Sequence, residues 1–431
     1  MPNLVPELLP KLEAHRLSGL ETGPHTLHPY YEGYSLANLP ASLCHWLGVP
    51  PFGIQPFAPE ILEAFPGPFR HVILLVVDGL GLNQFGQFLQ AGQGNNERYA
   101  LWSRLMAQAT LLPLTSIVPS TTSAALITLW TGRTPAEHGV VGYEMWLKEY
   151  GINVNMITHS PASFQGDAGS LRKAGFDPAA FLPHPTLGPH LAANCIQAYA
   201  FQHFSIAHSG LAAMLFPQVI AYPFRTLSDL WVTVPAHQKS HAGEQTYTYI
   251  YWSELDELSH RFGPQDERIE LEFANFTYLV GHFLDELKSY GNGDTLFLVT
   301  ADHGHLSTPR YSNFELRNHP ELASMLHMLP SGESRLAYLY IKPGCEHKVE
   351  TYLDQALPGR FVLLPAENVL RSGLLGSGRP HPRLADRIGD AVLIAQDGAY
   401  LWWPDKENFM LGRHGGLSAI EMQIPLFGMV I

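Results

Sequence analysis

Aspartate and histidine stand in this 431-residue chain at places suited to holding a metal. Asp78 directly follows an unbroken apolar run, HVILLVV, and the adjacent pair Asp302 and His303 follows a second run, LFLVT. Asp256 and His260 are four apart, which puts both on one face of a helix. His414 lies between an arginine and two glycines. Taken singly, each has an ordinary structural explanation as a turn residue, a helix ion pair or a loop histidine. Together they form an oxygen and nitrogen donor set without sulfur, which suits zinc or manganese. Two divalent ions about 4 Å apart can clamp the attacking and the leaving oxygen of an in-line displacement.

A nucleophile for such a displacement is present in the stretch VPSTTSAALITLWTGRTPAEHG, Val118 to Gly139. Thr122 begins the apolar segment there, directly after a short apolar strand, Leu111 to Val118. A hydroxyl at a helix start sits among unpaired amides at the positive end of the helix dipole, which favours a bound anion and a developing alkoxide. An ordinary helix cap has the same sequence signature.

The elements that must position these residues are strands buried on both faces. Continuous apolar runs of this kind predict a parallel sheet, and ligands in open α/β sheets collect at the carboxyl ends of its strands. Asp78, Asp302 and His303 fall at such ends. The run YTYIYW predicts a further strand, Tyr247 to Trp252, leading into the Asp256/His260 segment. Ile269 to Tyr290 carries apolar residues at spacings of three and four and predicts an amphipathic helix. Shorter helices are predicted at 41–47, 187–197, 346–357 and from Ser418, the last followed by a closing strand. Ala391 to Ala395 and Ala399 to Trp403 predict a hairpin across Gln-Asp-Gly.

The organisation expected is a proline- and aromatic-rich lead-in over 1–68, packed on a core formed by 69–305 and 401–431. Within the core, 140–245 is in part a pocket-forming insertion, and 306–400 is an inserted α+β cap. The excess of 39 acidic over 26 basic residues, formal net charge −13, opposes binding to a nucleic-acid duplex or an anionic membrane surface. An anionic substrate therefore needs a local cation, which a metal supplies. Three widely spaced cysteines suggest no disulfide framework. The expectation without a signal sequence or a membrane-length apolar run is a cytoplasmic protein.

In their order along the chain, VVDGLG, the threonine-bearing helix start with TGRTPAEHG, DELSHRFGP, TADHG and GRHGG resemble the alkaline phosphatase superfamily, and within it the type I phosphodiesterase/nucleotide pyrophosphatase branch. The resemblance covers about 70–150, 245–305 and 405–431. It implies a three-layer α/β/α sandwich around a mostly parallel sheet, with inserted cap segments. It implies one ion on Asp256, His260 and His414, and a second on Asp78, Thr122, Asp302 and His303, with zinc the expected metal. Thr122 becomes the nucleophile of a covalent phospho-threonine intermediate, with the backbone N–H of Ser123 as a phosphoryl-oxygen donor and Tyr143 and His305 as substrate contacts. The substrate implied is a small phosphate ester, a nucleotide among the candidates. Ala125 departs from the pattern, since many nucleotide phosphodiesterases of the group are expected to carry Asn there. Phosphomonoesters, phosphonates and sulfate esters thus stay open as substrates, and a metal-binding scaffold without activity is the reading from another class.

Overall fold

The strand segments are buried because both faces of their sheet are covered. In the computed structural model, which describes residues 3–93, 100–162 and 167–431, His71–Val77, Thr110–Thr115, Thr246–Trp252 and Thr295–Thr300 are buried at every position. They belong to a seven-stranded sheet in the spatial order Thr110–Thr115, Gln423–Val430, Thr295–Thr300, His71–Val77, Thr246–Trp252, Gln197–His203, Val219–Phe224. The last five run parallel, while Gln423–Val430 is antiparallel to both its neighbours. The fold is therefore mixed α/β around a mostly parallel sheet, as the sequence implies.

The amphipathic helix spans Glu267–Lys288 and buries Ile269, Phe273, Phe276, Val280, Phe283 and Leu287. Its Phe276 ring stacks on Trp252 at 4.0 Å, which ties the helix to the strand that leads into Asp256. From the N-terminal stretch, Leu12, Trp46, Phe57 and Phe65 enter the same core.

A second seven-stranded sheet, all antiparallel, combines Glu144–Leu147, Ile152–Asn155 and Ser160–Pro161 with Ser331–Glu333, Leu336–Leu339, Phe361–Pro365 and Ala391–Ala395. Two distant parts of the chain thus build one cap sheet. The expected hairpin across Gln-Asp-Gly does not form. Ala391–Ala395 pairs with 361–365 and 336–339, whereas Leu401 N–H donates to Ser334 O at 2.7 Å and Trp402 N–H to Phe314 O at 2.8 Å. The helix expected over 187–197 stops at Ala193, and Cys195 takes a left-handed turn (φ +62°) before the strand begins at Gln197.

Candidate metal centre

Strand register assembles the site. Parallel pairing sets Val77 opposite Trp252 and Val76 opposite Thr300, so all three strands finish at one edge of the sheet. Asp78, Asp302 and the helix Glu254–Phe262 follow those ends immediately. The opposite half comes from two loops. Ser116 to Thr121 leads from the edge strand into the helix Thr122–Thr131, and His414 follows the short strand Gly412–Arg413. That loop is held firmly. Arg413 donates to Thr308 Oγ1 at 2.8 Å and lies 3.7 Å over the Tyr400 ring. Gly415, at φ +100°, leaves no room for a side chain, since a Cβ there would come within 2.6 Å of Glu333. On the far side Glu421 accepts from Gly416 N–H at 2.9 Å and from Arg335 at 2.7 and 2.8 Å in a fully buried ion pair.

The expected ligands converge in two groups, Asp78, Asp302 and His303 in one, and Asp256, His260 and His414 with His305 in the other. Thr122 Oγ1 lies 3.2 Å from His303 Nε2 and 3.5 Å from Asp78 Oδ1. The helix behind it has no side-chain cap from Thr121, so its first-turn amides are left for a ligand. Three histidines are oriented alike. His260 Nδ1 meets Gly412 O at 3.0 Å, His414 Nδ1 meets Ser120 O at 3.0 Å, and His303 Nδ1 meets Gly304 O at 3.2 Å. Each carbonyl accepts the Nδ1–H, which leaves Nε2 bare and facing its carboxylate partner, the arrangement of a metal-ligating imidazole.

Charge in the site points the same way. Burial, and then His303, hold His414 well below its ordinary value, and burial lowers His260 to about 4 against the pull of Asp256. Both rings are thus neutral near pH 7. Burial pushes Asp78 up, and the nearby Asp256 and Asp302 push it further. Burial also acts to raise Asp256, but His260, His305 and His414 outweigh it and hold that carboxyl well below its usual range.

These residues fit a pair of divalent ions. Asp302 is fully buried and its Oδ2 has no hydrogen-bond partner, though His303 Nε2 lies 3.5 Å away. A buried carboxylate oxygen without a partner is costly. A cation between Asp302, Asp78 and His303 relieves that cost and the Asp78–Asp302 repulsion together.

With the geometry established, sequence comparison identifies the lineage. A family profile described as type I phosphodiesterase / nucleotide pyrophosphatase matches residues 72–417. The chain belongs to that family. Bis(5'-adenosyl)-triphosphatase ENPP4 of Bos taurus is 26% identical over 193 residues, a match spanning 42% of this chain and 37% of that protein. Human ectonucleotide pyrophosphatase/phosphodiesterase family member 5 is 24% identical over 179 residues, 41% of this chain and 35% of that protein. The aligned part thus spans little more than a third of each relative. Among solved structures, inactive murine ENPP5 in complex with AMP superposes with TM-score 0.60 at 17% identity, covering 83% of this chain and 87% of that one. Phosphonoacetate hydrolase from Sinorhizobium meliloti gives TM-score 0.58 at 19% identity, covering 83% and 89%. These likenesses show that the chain shares its overall fold with those two proteins.

In this phosphodiesterase-family chain a cavity of about 600 Å³ opens onto Thr122, Asp256, His260 and His414. Tyr143 lines it, while His305 lies behind Asp256 and outside the lining. Ser123 is buried, its hydroxyl bound to Gly142 O at 2.9 Å. Ala125 is fully buried and outside the cavity lining.

Several lining residues lie outside the family motifs recognised in the sequence. Trp402, Trp403 and Phe409 form an aromatic wall, and Trp403 Nε1–H donates to Glu144 Oε2 at 2.8 Å. Glu333 from the cap sheet accepts from Tyr143 N–H at 2.7 Å, and burial pushes its carboxyl up to about 8. No spacing in the sequence marks these residues, because the cap sheet and its loops bring them to the site from separate segments.

Proposed function

We propose that this protein is a metal-dependent hydrolase of phosphoric esters, acting on phosphodiesters or nucleotide pyrophosphates with Thr122 as nucleophile. The observation that carries the reading is the convergence of two Asp/His groups, with the Thr122 hydroxyl beside one of them and lining the same cavity as the other. Asp78, Asp302 and His303, with Thr122, would hold one ion, and Asp256, His260 and His414 the other, zinc being the metal suited to this donor set. Bound there, the ions would supply Lewis acidity that eases loss of the Thr122 proton and offsets charge on the leaving oxygen.

The chain's own groups do the rest. Thr122 Oγ1 gives its proton to solvent in the cavity and attacks phosphorus, the bond from phosphorus to the leaving oxygen breaks, and that oxygen takes a proton back from solvent. Water then attacks the same phosphorus, the bond to Oγ1 breaks, and the hydroxyl is restored. The unpaired first-turn amides, with Ser123 N–H among them, face a non-bridging oxygen. Tyr143 and the Trp402, Trp403 and Phe409 wall offer planar faces to an aromatic part of the substrate such as a nucleobase. The ENPP4 relative is named as a triphosphatase of adenosine dinucleotides, and the same substrate class suits these faces. Unpaired thiols at Cys44, Cys195 and Cys345 support a reducing, cytoplasmic setting, and among the described residues no helix is long and apolar enough to cross a membrane.

The test is Thr122→Ala assayed on a nitrophenyl phosphodiester, alongside the matched monoester and a sulfate ester. Turnover should fall at least about 10³-fold with the remaining metal still bound, and the unsubstituted protein should prefer the diester. Unchanged turnover in Thr122→Ala would remove the nucleophile from the reading.

A further inference from the structure

We propose that His305 is a positioning residue for Asp256: its Nε2–H holds Asp256 Oδ1, which turns the carboxylate toward the ion, and His305 contacts neither the ion nor the substrate. The inference rests on the metal centre described above. Four side chains crowd that half of the site, and their spacing separates them into two kinds. A tetrahedral ion with bonds of about 2.0–2.1 Å has ligand-to-ligand edges of about 3.4 Å. His260 Nε2 and His414 Nε2 are 3.2 Å apart and Asp256 Oδ2 and His260 Nε2 are 3.4 Å apart, two edges that suit one ion, and His414 Nε2 also lies 3.6 Å from the Oδ1 of the same carboxylate. His305 Nε2 lies 2.6 Å from Asp256 Oδ1, too close for a second ligand of that ion and right for a hydrogen bond to a carboxylate.

Ring orientation supports the same division. His260, His303 and His414 each engage a carbonyl through Nδ1 and present Nε2. His305 is reversed: its Nε2 is engaged by Asp256, and its buried Nδ1 has no partner. Its ring stands edge-on to His260 at 4.6 Å and to His414 at 5.1 Å, wedged behind the ligands with its side chain fully buried. With three protein ligands the ion keeps an open position, which a catalytic site requires. A carboxylate ligand held from behind in this way binds its metal more tightly.

The experiment titrates zinc into the metal-free full-length protein against a chromophoric chelator, counting ions and reading affinity without turnover. His305→Ala should bind as many ions at saturation as the unsubstituted protein, one of them held about 10–100-fold more weakly. His305→Gln, whose amide N–H can reach Asp256, should recover most of the loss and also decides the matter if the alanine variant does not fold. His260→Ala, which removes a ligand, should bind one ion fewer. Loss of an ion in His305→Ala or His305→Gln would make His305 a ligand and overturn the proposal, as would affinity unchanged in both. If the unsubstituted protein takes up no zinc, the metal centre itself fails, a result distinct from a loaded protein indifferent to His305.

Discussion

Glu333 makes the cavity sensitive to pH in a way that can be worked out in advance. Its carboxyl is raised from 4.5 to about 8, chiefly by burial, with Glu144 and Asp256 adding to the effect against hydrogen bonds from Thr121 and Tyr143 N–H. The folded state therefore holds the proton more tightly than the unfolded chain. Below pH 4.5 both states are protonated and the folded state bears no penalty. Between pH 4.5 and 8 the unfolded chain releases the proton and the folded protein does not, so stability falls as pH rises and the loss is complete above the folded value. A difference of 3.5 units at 1.36 kcal/mol each is about 5 kcal/mol. Glu333→Gln removes the titration and keeps an acceptor for Tyr143 N–H. Denaturant unfolding of the metal-free proteins, followed from pH 4 to 9, should show the variant gaining on its parent with rising pH, up to a few kcal/mol at pH 8.5. Metal is left out because divalent cations beside Asp256 would favour the ionised carboxyl. A gap that stays constant between pH 5 and 8.5 would refute the reasoning.

Two further outcomes concern how the site is held together. Zinc at 100 times its dissociation constant should stabilise the protein by about 2.7 kcal/mol per site, seen as a rise in melting temperature that a chelator reverses. Arg335→Met should cost about 3–5 kcal/mol in chemical denaturation, because Glu421 is left charged, buried and unpaired, and Arg335→Met with Glu421→Met should regain much of that cost.

The central fold was legible because burial on both faces writes itself into sequence as unbroken apolar runs, and His71–Val77 and Thr295–Thr300 are such runs. The place of Asp78, Asp302 and His303 was legible for a related reason, since polar residues directly beyond those runs must lie at the sheet edge. The cap was harder to read. Ala399 to Trp403 has the composition of a hairpin strand, but its backbone bonds to Ser334 and Phe314, contacts that no local pattern encodes. Glu333 and Trp403 reach the cavity only because that sheet combines segments far apart in sequence. His305 was recognisable as part of the site from its place beside Asp302-His303-Gly304, but the direction of its ring, which decides what it does, is a property of packing alone.

The antiparallel strand Gln423–Val430 sets an order in time. Among the described residues, the strand Thr110–Thr115, which carries the loop to Thr122, pairs with it in the central sheet and meets Asn3 and Ser35 through single bridges on its other edge. On a ribosome, the first three hundred residues can emerge with their parallel strands made and still lack this antiparallel partner. Tyr30, Tyr34 and Ser35 already hold Thr115 from its other side, and Tyr31 holds Val118, but the strand's pairing within the sheet waits for Gln423–Val430, and His414 arrives in the same stretch. A nascent chain therefore carries Asp78 and Asp256 before His414 is there to complete the group around Asp256.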